Sequence, residues 1–223
     1  IVEELLSFKL GVFEDVTSEV VIFILNKRIN SDNIIKVYNY NKVIENGIDS
    51  IQIPQAIFKN SLGNRFNIYL NIEKIKILEK ISKESILLGT ISETLQGIIA
   101  GDEKKLVSKY KQDDDFKPVL RGRDIKKYSN YKQEMEYIDY SDFGKKLTRC
   151  RKVENFEVPK KILTQHISSR IIASIDYDSI YYMQTVNGTI ITKKDIISEF
   201  ILSLLNSKLL NFYYDISFNL GAE

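Results

Sequence analysis

Apolar runs in the first third of the chain predict a sheet followed by a helix. VVIFIL at residues 20–25 is six consecutive apolar residues rich in β-branched types, which predicts a strand buried on both faces. IIKVYNY at residues 34–40 predicts its partner strand. A helix is predicted from Asn71, because apolar residues recur there at helical spacing. They are Ile72, Ile75, Leu78 and Ile81.

Between these elements, residues 41–64 have a low density of apolar side chains. Gly47, Pro54 and Gly63 lie in this stretch together with several turn-forming residues. The composition predicts a linker or a domain boundary here.

The last third of the chain predicts a hairpin and one long helix. Asn187 and Gly188 stand between two β-rich runs, which is typical of a type I′ hairpin turn. An apolar stripe over residues 197–213 then predicts the helix. Mixed strands and helices without regular βαβ alternation indicate an α+β fold, with a mixed or antiparallel sheet and packed helices.

The composition excludes several classes of protein. The chain has 223 residues, of which 43% are hydrophobic and 28% charged, as expected for one large or two small globular domains. No apolar run approaches the ~20 residues that cross a bilayer. The single cysteine, Cys150, excludes an internal disulfide, and a reducing, cytoplasmic location is expected. The chain begins at Ile1 without export features, and we expect it to be a piece of a longer protein.

Positive charge is concentrated in the middle of the chain. Residues 104–170 hold eighteen Lys and Arg against ten Asp and Glu, whereas acidic residues are in excess on both sides. Such a segment indicates either a phosphate-bearing partner or a solvated loop region. Charge alone leaves both interpretations open.

The residue types needed for catalysis or for cofactor binding are sparse. His166 is the only histidine, which removes multi-histidine metal sites and leaves little for a nucleophilic triad. Gly97 and Gly101 are four residues apart and form no nucleotide-binding cluster. The run of residues 113–115, DDD, is typical of a solvated loop. The sequence therefore predicts no catalytic residue, no metal site and no bound cofactor in this chain.

The segment KPVLRGRDIKKY, residues 117–128, combines turn formers with phosphate-binding side chains. Arginine binds guanine edges and phosphates through two hydrogen bonds, and lysine supplies a point charge. Its cations are Arg121, Arg123, Lys126 and Lys127. Tyr128 offers a flat surface for a sugar or an unstacked base. The alternative is a turn whose Arg121 and Asp124 form ordinary salt bridges.

KPVLRGRDIKKY resembles the signature of the TaqI-like specificity domain, the target recognition domain of N6-adenine DNA methyltransferases and of type IIG restriction-modification enzymes. Three further segments resemble family motifs in the same order. They are LQGIIAGDEKKLV at residues 95–107, LTRCRKVENFEVPKKILTQHIS at residues 147–168, and ILSLLNSKLLNFYY at residues 201–214. The chain departs from the family in having Ala100 where Thr is usual and in lacking the Trp that often stands between the second Arg block and the pKI block, where the spacing from Arg151 to Lys161 is short.

The resemblance implies that residues 1–45 are the last strands of a methyltransferase catalytic domain and that residues 46–223 are the DNA target recognition domain. The chain would position duplex DNA for N6-adenine methylation by the catalytic domain of the same polypeptide, with or without a fused endonuclease. S-adenosylmethionine is implied for the full-length enzyme. The Pro-Pro-aromatic loop that holds the adenine is missing, since no two prolines are adjacent.

The resemblance also implies which residues face DNA. They are Arg121, Arg123, Lys126, Lys127, Tyr128, Lys160, Lys161, His166 and Arg170. Gly97, Gly101, Gly122 and Asn206 are expected to be structural. Three alternatives stay open: the specificity subunit of a type I restriction-modification system, a non-catalytic protein-interaction module, and a nuclease domain, which the missing site disfavours.

Overall fold

The computed structural model describes residues 1–8, 12–15, 18–40, 50–59, 66–129 and 135–218. The chain divides into two compact units, one of Ile1–Ser85 with Ile216–Glu223 and one of Ile86–Asp215. Both contain sheets and short helices, which confirms the predicted α+β class. The boundary predicted between residues 45 and 46 lies outside the described residues, and the assignment of residues 1–45 to a catalytic domain stays a prediction.

The first unit is built on a four-stranded sheet in the order β2-β1-β3-β4. Its strands are β1 (Val2–Phe8), β2 (Val20–Leu25), β3 (Ile34–Tyr40) and β4 (Ser50–Pro54). β1 lies antiparallel to β2 and parallel to β3. The predicted pairing of β2 with β3 is therefore wrong, because β1 lies between them.

The strand predicted at residues 20–25 exists, but its predicted burial is wrong. β2 is an edge strand, and its side chains from Val21 to Leu25 are 41% to 68% exposed. The rings of Phe23 and Phe66 pack edge to face, with 5.9 Å between their centres. The centre of the sheet is buried instead, with Leu5 on β1 and Val37 on β3 at 0% exposure.

The predicted linker is wrong over residues 50–59. β4 continues directly into α1 (Gln55–Lys59), and Ile53 and Phe58 are buried. Gly47 and Gly63 lie outside the described residues. The predicted helix is confirmed as α2 (Ile72–Lys83), whose first turn is capped by the Asn71 side chain accepting from the Lys74 amide at 2.8 Å.

The second unit contains two four-stranded sheets, in the orders β10-β9-β12-β5 and β11-β7-β8-β6. The strands are β5 (Ser92–Gln96), β6 (Val107–Ser108), β7 (Phe116–Leu120), β8 (Glu136–Asp139), β9 (Lys161–Gln165), β10 (Ala173–Asp176), β11 (Tyr181–Tyr182) and β12 (Val186–Ile191). The short helices α3 (Glu103–Leu106) and α4 (Ser141–Gly144) lie between strands. One core cluster takes Val119 and Ile138 from one sheet and Leu163 and Val186 from the other, so the two sheets share their apolar interior.

The hairpin turn predicted at Asn187 and Gly188 is wrong, because β12 runs straight through both residues. The chain turns earlier, where the Val186 amide donates to the Met183 carbonyl at 2.9 Å. Glycine serves a different purpose at position 188: a Cβ atom there would lie 2.2 Å from the buried Tyr182 hydroxyl oxygen. A local turn signal is thus overridden by packing against an aromatic side chain.

The single long helix predicted over residues 197–213 is two helices, α5 (Ser198–Leu205) and α6 (Lys208–Phe218). The break falls at Asn206, which is buried. Its side-chain amide donates to the Ala173 carbonyl at 2.8 Å and accepts from the Ala173 amide at 3.1 Å. Asn206 therefore ties the break to the first residue of β10.

Candidate nucleic-acid interface

The segment that follows β7 closes on itself. Arg121 is extended, and Gly122–Asp124 form one 3-10 turn. The Arg121 amide donates to the Asp124 carboxylate at 2.7 Å, and the Asp124 amide donates to the Arg121 carbonyl at 2.9 Å. Asp124 is buried, so it shapes the turn.

The side chain of Arg121 is held by two carboxylates. Its Nε donates to Glu136 at 2.6 Å, and its two terminal nitrogens donate to Glu103 at 3.2 and 2.9 Å. Burial alone would lower the pKa of the Arg121 guanidinium, but the two carboxylates outweigh it and raise the pKa. Only 19% of the side chain is exposed. Arg121 thus joins α3 to β8.

Arg123, two residues later, is in a different position. Its side chain is 68% exposed, and its nearest terminal nitrogen lies 3.4 Å from Glu136. An exposed ion pair of this kind is weak, on the order of 0 to 1 kcal/mol. The guanidinium can therefore exchange this carboxylate for a phosphate or a base edge.

The three residues Lys126, Lys127 and Tyr128 form a second turn. Tyr128 has the left-handed φ of +64° and is 58% exposed, with its amide donating to the Ala173 carbonyl at 2.9 Å. A tyrosine in this backbone conformation is uncommon, and such residues cluster at functional sites. Lys127 donates to the Asn206 carbonyl at 3.3 Å, at the carboxyl end of α5 where a cation is favourable. Lys126 is exposed.

Thr185 connects the Gly122 turn to the loop between β9 and β10. Its hydroxyl accepts from the Gly122 amide at 2.9 Å, and its carbonyl accepts from the His166 amide at 2.9 Å. The loop, residues 166–172, is also held by the Tyr214 hydroxyl donating to the Ser168 carbonyl at 3.2 Å. These bonds bring three distant stretches of sequence together.

These stretches carry six of the predicted residues in exposed positions, and one of the six, Lys127, donates to the Asn206 carbonyl. We name the other five the exposed rim: Arg123, Lys126, Tyr128, His166 and Arg170. Two hydrogen bonds fix the rim segments: the Gly122 amide donates to the Thr185 hydroxyl in the turn before β12, and the Tyr128 amide donates to the Ala173 carbonyl on β10. Binding residues displayed on loops over a rigid scaffold are a common arrangement.

Lys161 is wrongly predicted to contact DNA. It is fully buried, its ammonium is paired with Asp176, and it also donates to the Phe156 carbonyl at 2.7 Å. Burial lowers the pKa of Lys161, and the Asp176 carboxylate opposes that shift. The side chain therefore neutralises a carboxylate inside the core.

Lys160 lies away from the exposed rim. It precedes β9, whereas His166 follows it, and six residues of extended chain span about 20 Å. The Lys160 ammonium donates to Glu199 at 2.7 Å and lies 5.6 Å from the centre of the Tyr177 ring. The hydrogen bonds from Lys160 and from Tyr177 lower the pKa of Glu199 to about 2.

The glycines singled out in the sequence do not form a cradle for S-adenosylmethionine. A Cβ atom at Gly97 would lie 2.3 Å from the Tyr182 carbonyl oxygen, and one at Gly101 would lie 2.3 Å from the Thr148 hydroxyl. Both glycines thus allow close approach of the chain's own atoms. That this chain binds no such cofactor stays a prediction.

In the part of the chain that the structure describes, no three His, Cys, Asp or Glu side chains are grouped to hold a metal ion. No helix among the described residues has the length and apolar character to span a membrane. A groove of about 610 Å³ is lined by Leu95 and residues 150–155 and contains none of the predicted DNA-facing residues.

Sequence reasoning missed the residues that position the exposed rim. Glu103 and Glu136 hold Arg121, and Thr185 joins two rim segments through its hydroxyl and carbonyl. These partners are 15 to 63 positions apart in the sequence, so no local pattern could reveal them. Asn206 was expected to be structural, but its partners Ala173 and Lys127 were not foreseen.

Comparison with known proteins supports the resemblance. Residues 117–220 match the family model described as the TaqI-like C-terminal specificity domain, which confirms the recognition over those residues. Among solved structures, that of the type IIL restriction-modification enzyme MmeI in complex with DNA is similar, with 10% sequence identity and a TM-score of 0.50. The match covers 92% of this chain and 31% of that chain, so this chain spans about a third of the enzyme, and the likeness is one of fold. A search of curated proteins gives no match.

Proposed function

We propose that this chain is a DNA target recognition module of a restriction-modification enzyme. The observation that carries the proposal is that the matched residues, 117–220, contain every member of the exposed rim. A module of this kind anchors the phosphate backbone of duplex DNA and presents other side chains to the bases.

The charge distribution on the second unit supports this role. Arg123, Lys126 and Arg170 are exposed, and within the described ranges neither Lys126 nor Arg170 has an ion-pair partner. Cations that are not neutralised by the protein's own carboxylates remain available to displace counterions from phosphates. Tyr128 adds an exposed aromatic face, on which a sugar or an unstacked base can stack.

The finer part of the proposal concerns the reaction. The module would position an adenine for N6 methylation by a methyltransferase domain of the same polypeptide, and that domain would hold S-adenosylmethionine. The support for adenine and for the methyl donor is the family resemblance. The described glycines do not fit this cofactor, so we expect calorimetric titration of the chain with S-adenosylmethionine to give no saturable binding.

The helix lengths favour this role over that of a type I specificity subunit. Such a subunit would carry long coiled-coil helices between its recognition domains. The longest of the described helices, α2, has 12 residues. The alternative that differs most from this proposal is a protein-interaction module, which would bind another protein instead of DNA.

Duplex binding as a function of salt tests the proposal. If about three phosphates are contacted, the slope of log affinity against log salt is about −3, and binding weakens roughly 40-fold between 50 and 200 mM salt. Fluorescence anisotropy with a labelled duplex of random sequence measures this slope. A flat titration at low salt would contradict the proposal and favour the protein-interaction module.

A further inference from the structure

The turn between β11 and β12 is held rigidly through its backbone. The Gln184 amide donates to the Ile98 carbonyl at 2.7 Å, and the Gln184 carbonyl accepts from the Gln96 side chain at 2.8 Å. The Val186 amide closes the turn on Met183 at 2.9 Å. The backbone of Gln184 therefore has both of its polar groups satisfied.

This turn lies between the segments that carry the exposed rim. Thr185, the next residue, accepts hydrogen bonds from the amides of Gly122 and His166. Gly122 precedes Arg123 directly, and His166 belongs to the loop that carries Arg170. Gln184 is thus one residue from the atoms that join the two segments.

The Gln184 side chain contrasts with its fixed backbone. It is exposed, and its amide has no hydrogen-bond partner among the described residues. Two other glutamines of this unit are used internally: Gln96 donates to the Gln184 carbonyl, and Gln165 donates to the Ile125 carbonyl at 3.0 Å. The amide can donate to a phosphate, and it can also present a donor and an acceptor together to a base edge.

We infer that Gln184 is a sequence-reading residue of the interface, which places its amide against the major-groove edge of a base. The inference rests on the proposed function. Glutamine pairs with adenine through N6 and N7, and a carboxylate in the same place would instead accept from cytosine N4. A rigid backbone favours this role, because a reading side chain must be held in register with the base.

Selection of duplexes from a randomised library tests the inference with the 223-residue chain. We expect the wild-type chain to enrich a motif with an adenine at one position. In Gln184→Ala the preference for this adenine should be lost, with discrimination at that position falling on the order of 10-fold to 100-fold. Gln184→Glu should move the preference at the same position toward cytosine. Gln112→Ala, at an exposed glutamine in the loop between β6 and β7, is the matched control and should leave the motif unchanged.

The outcomes separate this inference from the proposed function. If the wild type enriches a motif and both Gln184 variants enrich the same motif, the inference is wrong while the recognition role stands. A uniform loss of affinity without a change of motif would show that Gln184 contacts the DNA backbone, and this result would also overturn the inference. If the folded wild type binds no duplex, both proposals fail together. The melting temperature of each variant shows whether the chain is folded.

Discussion

Two groups of basic residues in the second unit differ sharply in their surroundings. Arg121, Lys160 and Lys161 each contact a carboxylate of the same chain at 2.9 Å or less. Arg123, Lys126 and Arg170 are exposed, and of these three only Arg123 has ion-pair contacts among the described residues, at 3.4 Å to Glu136 and at 3.9 Å to Asp124. Members of the two groups stand close in sequence, as Arg121 and Arg123 do. The role of a cation is thus decided by which carboxylates the fold brings to it, and segment charge alone does not reveal it.

Under the proposed function, the paired group stabilises the fold and the exposed group would contact DNA. A buried charge is tolerated only where a partner neutralises it, so removing one member leaves the other uncompensated. An exposed cation costs the fold little when it is removed. Substitutions in the two groups should therefore affect different measurements.

The largest expected effect follows from Lys161→Ala. This change leaves the Asp176 carboxylate buried without its cation, which costs about 3 to 5 kcal/mol of unfolding free energy. Urea denaturation measures the loss. The matched control is Lys160→Ala, whose partly exposed pair with Glu199 should cost far less unfolding free energy. Equal losses in the two variants would erase the distinction between a buried and an exposed pair.

Arg121→Ala should have the next largest effect. It removes three hydrogen bonds to Glu103 and Glu136, and we expect a loss of about 1 to 3 kcal/mol of stability. The salt slope of duplex binding by the folded variant should stay unchanged, because this guanidinium is occupied within the protein. A slope reduced by about one would move Arg121 into the DNA-contacting group.

A smaller effect should appear on acidification. Because the folded-state pKa of Glu199 is about 2, below its ordinary value, its contribution to stability is present above the unfolded-state pKa of ~4.3 and is lost as the pH falls toward 2. Thermal melts between pH 6 and pH 2.5 should therefore show a steeper fall for the wild type than for Glu199→Gln. The same substitution at the exposed Glu93 is the control, and it should not reproduce this difference.

The smallest expected change in stability belongs to the exposed group. Arg123→Ala and Arg170→Ala should each alter the unfolding free energy by less than about 0.5 kcal/mol. Each substitution should reduce the salt slope of duplex binding by about one, because one phosphate contact is lost. Anisotropy titrations at several salt concentrations measure the slope. Variants that bind with the wild-type slope would show that the exposed cations do not contact DNA.

The sequence predicted individual helices and strands better than it predicted which elements pack against each other. The helix after Asn71 and the strand at residues 20–25 follow from local periodicity, and both are present. The burial of that strand was wrong, because burial depends on which elements cover it. The prediction of a turn at Asn187 and Gly188 was wrong for a related reason. The Tyr182 phenol, six residues away from Gly188, occupies the space that the missing glycine side chain leaves.

The candidate site was predicted in the same uneven way. The motif at residues 117–128 indicated the family, which the match over residues 117–220 confirms. It did not separate Arg121 from Arg123, since the separation comes from Glu103 and Glu136, 18 and 15 positions from Arg121. Lys161 resembles a surface lysine in sequence, and only the position of Asp176, 15 residues later, places it in the core.

The bond from Lys127 to the Asn206 carbonyl has a consequence for how the protein is made. The two residues are 79 positions apart, and a ribosome adds about 5 to 20 residues per second. The turn that displays Tyr128 is therefore synthesised roughly 4 to 16 s before its partner at the end of α5. Until then Lys127 lacks its hydrogen-bond acceptor at the end of α5. A nascent chain truncated before residue 206 should therefore expose the basic segment to proteolysis.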